Sequence, residues 1–115
     1  MDYLQLHSDT ICHDLSDRYI TNSHIKPVLD SLPNCFKVLV IGKSVEERPI
    51  YSVKVGSGKI KVLMWSQMHG NESTTTKAIF DLFNILEKEP CKYILDACTL
   101  YIIPILNPDG AFAYT

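Results

Sequence analysis

The stretch Ile60-Lys61-Val62-Leu63-Met64-Trp65-Ser66-Gln67-Met68-His69-Gly70-Asn71-Glu72-Ser73 decides the fold, because two periodicities meet in it. Its first half, Ile60–Ser66, is a short, nearly continuous apolar run. Such a run reads as a central strand buried on both faces, with Trp65 packed in the core. From Ser73 onward the spacing turns helical. Ala78, Ile79, Leu82, Phe83 and Leu86 form one stripe, with Lys77, Asp81 and Asn84 off it. Ser73 and Thr74 are natural caps for this helix, and Pro90 stops it. The loop between strand and helix holds His69, Glu72 and a glycine that permits a sharp turn.

Downstream, Leu100–Leu106 (LYIIPIL) is a second buried strand, running into Asn107-Pro108-Asp109-Gly110. Pro104 cannot donate a ladder hydrogen bond, so it belongs at the strand's end or at a bulge. Ile60 to Leu106 is then one βαβ unit. Upstream, Phe36–Ile41 (FKVLVI) reads as a buried strand. Ile50–Val55 (IYSVKV) alternates, with Tyr51, Val53 and Val55 on one face and Ile50, Ser52 and Lys54 on the other. Residues 1–34 are a polar leader. Ile25, Val28, Leu29 and Leu32 predict a short helix there, capped by Asn22 or Ser23, stopped by Pro33 and carrying Pro27 near its first turn. An earlier helix through Ile11, Leu15 and Tyr19 is also expected. The layout predicts an α/β fold, a three-layer α/β/α sandwich with a mixed sheet. The Ser73–Lys88 helix takes one face, the leader helices take the other, and residues 35–115 form the body on which the leader packs.

The chain has 115 residues and a mass of 13.0 kDa, which suits one domain or part of one. Hydrophobic residues at 46% and charged residues at 21% argue against disorder. Eleven basic against 13 acidic side chains leave a net charge of -2, with no basic excess to neutralise phosphates; a nucleic-acid partner is disfavoured. The apolar runs fall short of the roughly 20 residues that a membrane span needs, so no membrane is expected. Met1-Asp2-Tyr3 lacks the basic-then-apolar layout of an export signal. Cys12, Cys35, Cys91 and Cys98 form no C-x-x-C pair and read as reduced thiols of a cytoplasmic protein.

Ligand sites of open α/β sheets form just beyond the carboxyl ends of strands, where His69 and Glu72 lie. An imidazole and a carboxylate from one short loop can converge on a divalent ion. A catalytic zinc takes three protein ligands and leaves its fourth position to water. The same residues also suit a plain capping loop, with Glu72 favoured by the helix dipole. By themselves the two residues leave both readings open. Arg48, in an acidic loop, reads as the partner of a carboxylate, and His7, His13 and His24 as surface histidines.

The flanking residues add a resemblance. Ile41-Gly42-Lys43-Ser44 with Glu47-Arg48-Pro49-Ile50 resembles the "IG-x-S-x-x-G-R-x-I" segment of the zinc carboxypeptidase superfamily, peptidase family M14. His69-Gly70-Asn71-Glu72 is similar to that family's first zinc motif, and Asn107-Pro108-Asp109-Gly110 to its "NPDG" signature. Ala111–Thr115 resembles the tail that follows in bacterial members. Glu47 departs from the pattern, standing where the family usually has glycine. The resemblance implies a zinc-dependent metallocarboxypeptidase fold, Zn2+ as cofactor, and His69 and Glu72 as metal ligands. It implies a peptide or small amide as substrate of the complete enzyme. The family's third ligand, a distant His, its general-base Glu and its carboxylate-binding arginines lie beyond the motifs present. The 115 residues therefore read as the amino-terminal third of a catalytic domain, inactive alone. Such a portion leaves a sheet edge free for a homo-oligomer. A zinc amide hydrolase of the aspartoacylase and succinylglutamate desuccinylase type, which shares the H-G-N-E loop, is the neighbouring alternative. A non-catalytic stub for binding or assembly is another.

Overall fold

The computed structural model describes residues 1–115. In chain order the elements are α1 (Tyr3–Thr10), α2 (Asn22–Asp30), β1 (Lys37–Lys43), β2 (Pro49–Gly56), β3 (Ile60–Trp65), α3 (Thr74–Leu86), a single 3-10 turn (Glu89–Cys91), α4 (Lys92–Ala97), β4 (Cys98–Ile103) and α5 (Pro108–Ala113). The sheet order is β1-β2-β4-β3. β1–β2 and β2–β4 are antiparallel and β3–β4 is parallel, so the sheet is mixed and β3–α3–β4 is the βαβ unit. Pro104 follows β4 directly, where its missing N–H costs no ladder bond.

β4 is the strand with neighbours on both sides near the site. β3, expected at the centre, lies at the sheet's edge. Its alternate residues Leu63 and Trp65 are 59% and 51% exposed, so Trp65 is not a core residue. β1 is the other edge, and Leu39, Val40 and Ile41 are exposed there instead of buried. A bulge between Val40 and Gly42 breaks the β1–β2 register.

The core lies on one face of the sheet. Val53 opposes Ile102, which opposes Met64; Val55 opposes Leu100, which opposes Val62. These side chains join Ile79, Phe80, Phe83 and Leu86 of α3 in one cluster. Leu15, Ile20, Ile25 and Leu29 of the leader enter the same cluster, so the leader covers the α3 face and not the opposite one. Hydrogen bonds fix α1 and its exit beside α3: the Cys12 N–H donates to Asp81 at 2.7 Å and Asn84 Nδ2 to the Thr10 carbonyl at 2.8 Å. Alternation along the strands puts Lys54 and Ser52 on the face away from α3, where Leu39, Leu63 and Trp65 stay exposed.

Local details differ from the sequence reading in physical ways. α1 ends at Thr10, before the expected Ile11–Tyr19 helix, and Leu15 and Ile20 are buried from irregular chain. Thr21, not Asn22 or Ser23, is the N-cap of α2, where His24 Nδ1 accepts from the Thr21 N–H at 2.9 Å. Pro27 sits inside α2, past the first turn. In α3 the core takes Phe80, and Ala78 faces solvent, because the larger side chain gains more by burial.

Candidate metal centre

Because β3 and β4 are parallel, Trp65 and Ile103 end side by side and both chains leave the sheet in the same direction. They stay zipped beyond the strands. The Ser66 N–H donates to the Ile103 carbonyl at 3.0 Å, the Leu106 N–H to that of Ser66 at 2.9 Å, and the Asn107 N–H to that of Gln67 at 3.2 Å. The two motif loops are thus one assembly.

Gln67 turns the chain. Its φ of 52° lies in the left-handed region, which a residue with a Cβ adopts at a cost. Its buried side chain holds it there. Nε2 donates to the Ile20 carbonyl at 2.6 Å and the Gly70 carbonyl at 2.9 Å, while Oε1 accepts from the Thr76 hydroxyl at 2.6 Å. A Glu72 N–H bond to the His69 carbonyl, 3.1 Å, closes the turn. His69 Nδ1 then lies 2.9 Å from Glu72 Oε2, with both side chains well exposed. A cleft of about 210 Å3, lined by Trp65, Ser66, Gln67, Met68, Glu72 and Thr75, opens beside them.

The ring nitrogen and the carboxylate oxygen lie within hydrogen-bond distance of each other, and imidazole with carboxylate is a donor set of zinc sites. The pair fits two positions of such a shell. No group of three or more His, Cys, Asp or Glu side chains is placed to hold a metal ion. The structure thus brings the two sequence-predicted residues together and adds no third donor.

The sequence reading gave no role to Gln67 or Asp109. Asn107 Oδ1 accepts from the Gly110 N–H at 2.9 Å, capping α5, while its Nδ2 reaches the Met68 carbonyl at 3.2 Å. Asp109 accepts from the Ser44 hydroxyl at 2.6 Å, from Arg48 Nη1 at 2.8 Å and from the Glu46 N–H at 3.2 Å. The Ser44 hydroxyl, and then the Arg48 guanidinium, hold the Asp109 carboxyl below its ordinary range. Arg48 also pairs with Glu46 and lies 4.0 Å from the centre of the Phe112 ring. Arg48 is the carboxylate partner expected of it. The signal for Asp109 was an acid in one motif and an arginine with a serine in another, far apart in sequence.

The profile of the zinc carboxypeptidase family (Peptidase_M14) matches residues 21–115. The chain belongs to the zinc carboxypeptidase family. Among curated proteins it is 30% identical over 112 residues to the Bacillus subtilis (strain 168) "Uncharacterized protein YqgT", covering 82% of this chain and 28% of that one. Among solved structures, a Burkholderia mallei ATCC 23344 protein assigned as a carboxypeptidase is 28% identical with a TM-score of 0.70, covering 81% of this chain and 26% of its own. Carboxypeptidase A from Helicoverpa armigera shares the fold at 23% identity and a TM-score of 0.65, over 96% of this chain and 32% of its own. The chain therefore spans about a quarter to a third of the length of these relatives.

Proposed function

We propose that this chain carries the metal-loop portion of a zinc-dependent metallocarboxypeptidase, which hydrolyses a C-terminal peptide bond, with His69 and Glu72 as zinc ligands. The observation that carries the reading is the 2.9 Å contact between His69 Nδ1 and Glu72 Oε2 just beyond the carboxyl end of β3. A bound zinc supplies a water of pKa about 7 and polarises the scissile carbonyl. The chain's own part is to present an imidazole nitrogen and a carboxylate oxygen on a turn held from beneath by Gln67. The cleft beside Glu72 gives a substrate carbonyl access from the β3 side.

Peptide hydrolysis also needs a base and a donor for the developing oxyanion. Each is worth roughly 10²–10⁴-fold and 10²–10³-fold, respectively. No third carboxylate, imidazole or thiol joins the pair. On this reading residues 1–115 alone do not turn over peptides. The test has two arms. Zinc titrated into the 15N-labelled chain shifts the His69 and Glu72 resonances weakly, and His69→Ala abolishes the response. A chromogenic carboxypeptidase assay with and without chelator gives no turnover. Tight zinc binding that survives His69→Ala, or chelator-sensitive turnover by this chain, overturns the reading.

The free edge of β3 supports a further element, a homo-oligomer formed through that edge. Ile60, Leu63 and Trp65 are exposed there, and Lys61 is the one charged residue in the strand.

A further inference from the structure

The metal loop is pressed against a second turn that is itself anchored elsewhere. Gly70 stands between His69 and Glu72, and a Cβ there would lie 1.8 Å from the Gly110 carbonyl carbon and 2.2 Å from the Ala111 nitrogen. Both glycines are buried, so the backbones of the two turns touch directly. The α5 turn carrying Gly110 is fixed on one side by Asn107, through the Met68 and Gln67 carbonyls. On its other side Asp109 fixes it to the β1–β2 loop.

That loop is stiff. The Ser44 N–H donates to the Arg48 carbonyl at 2.8 Å, and the Arg48 N–H to Ser44 Oγ at 2.9 Å. The Glu47 N–H reaches the Ser44 carbonyl at 3.0 Å. The Arg48 and Asp109 side chains are 25% and 23% exposed, so their pair is partly shielded from water and salt.

We infer that Ser44, Arg48 and Asp109 are positioning residues for the metal loop. They hold the α5 turn in place, and Gly110 in turn sets where Gly70, and hence His69 and Glu72, can stand. This rests on the metal-ligand reading above and deepens it. Arg48 touches neither candidate ligand; it acts through Asp109, Gly110 and Gly70. Loss of the pair lets α5 tilt outward, and the loop then samples geometries in which the two donors diverge.

The experiment compares the chain with Asp109→Asn, Arg48→Ala and the milder Arg48→Lys and Ser44→Ala by amide exchange and by titration with zinc alone. The expected result is about tenfold faster exchange at Ser66, Glu72 and Asn107, with Val53 and Ile102 unchanged, since a hydrogen bond to a charged group is at stake. Arg48→Lys gives a smaller change than Arg48→Ala. The zinc response at His69 weakens in step with the exchange. Unchanged exchange at the three loop amides overturns the proposal, as does an equal rise over the whole sheet. If Asp109→Asn and Arg48→Ala do not fold, Arg48→Lys and Ser44→Ala decide the matter by the same readout. If zinc moves nothing in the parent chain, the ligand reading fails, while the exchange data still decide whether these residues position the loop.

Discussion

On one face of the sheet Val53, Val55, Leu100 and Ile102 are at most 5% exposed; on the other, Leu39, Leu63 and Trp65 are 51–59% exposed. Both faces carry large apolar side chains, yet every helix that reaches the core packs on the first. On the open face Leu63 opposes Tyr101 and Trp65 opposes Ile103, while Lys54 lies over the Tyr101 ring at 5.6 Å. Central residues there, such as Ile103, are shielded by neighbouring side chains and not by a second layer. An apolar side chain records a preference for burial; which layer satisfies it depends on what else the polypeptide presents.

Stability separates the two faces most sharply. Phe83 is fully buried among Phe36 and Phe80. Phe83→Ala should cost about 3–5 kcal/mol, much of what a domain of this size possesses. Leu63→Ala on the open face should cost about 0.5 kcal/mol or less. Urea unfolding measures both, and similar losses would mean that the open face is covered in solution. The next effect is on association. Leu63→Lys with Trp65→Lys should turn a concentration-dependent oligomer into a monomer by sedimentation. A parent chain that sediments as a monomer at all concentrations removes the open β3 edge from consideration as a homo-oligomer surface.

Acid supplies a smaller effect. Asp109 has a folded pKa below its ordinary value, so it adds stability above the unfolded value, about 4. That contribution fades as pH falls through the folded value. Asp109→Asn should flatten this part of the acid limb in thermal melts, whereas Lys54→Gln on the open face should leave its shape unchanged. An unaltered acid limb in Asp109→Asn would mean that the pair with Ser44 and Arg48 is not formed in solution.

The elements were legible where local physics decides them. The β3-to-α3 change of period, the alternation of β2 and the misfit of Pro104 each needed nothing beyond the sequence. The proximity of His69 and Glu72 was legible because they share one short turn. Layer and position in the sheet were not. Ile60–Trp65 is apolar enough for a central strand, but strand order is set by long-range pairing, here of β4 with both β2 and β3. Phe36–Ile41 misled for the same reason. Asp109 was unreadable because its partners Ser44 and Arg48 lie more than 60 residues away.

The smallest effect lies at the margin of the open face, where the β1–β2 loop turns. Glu47 has a φ of 64° and stands where the resembling motif has glycine. A side chain in this region costs about 1–2 kcal/mol, while glycine returns about 0.5–1 kcal/mol through the freedom it adds to the unfolded chain. Glu47→Gly also loses the exposed pair with Lys43, 3.3 Å, which contributes little. The balance favours glycine by about 0.5 kcal/mol, since the backbone conformation is imposed by the Ser44–Arg48 hydrogen bonds whichever residue stands there. Glu47→Ala removes the same ion pair but keeps the Cβ, so it should not stabilise. If Glu47→Gly and Glu47→Ala shift the urea midpoint alike, the ion pair rather than the backbone governs this turn. A gain confined to glycine assigns the strain to φ.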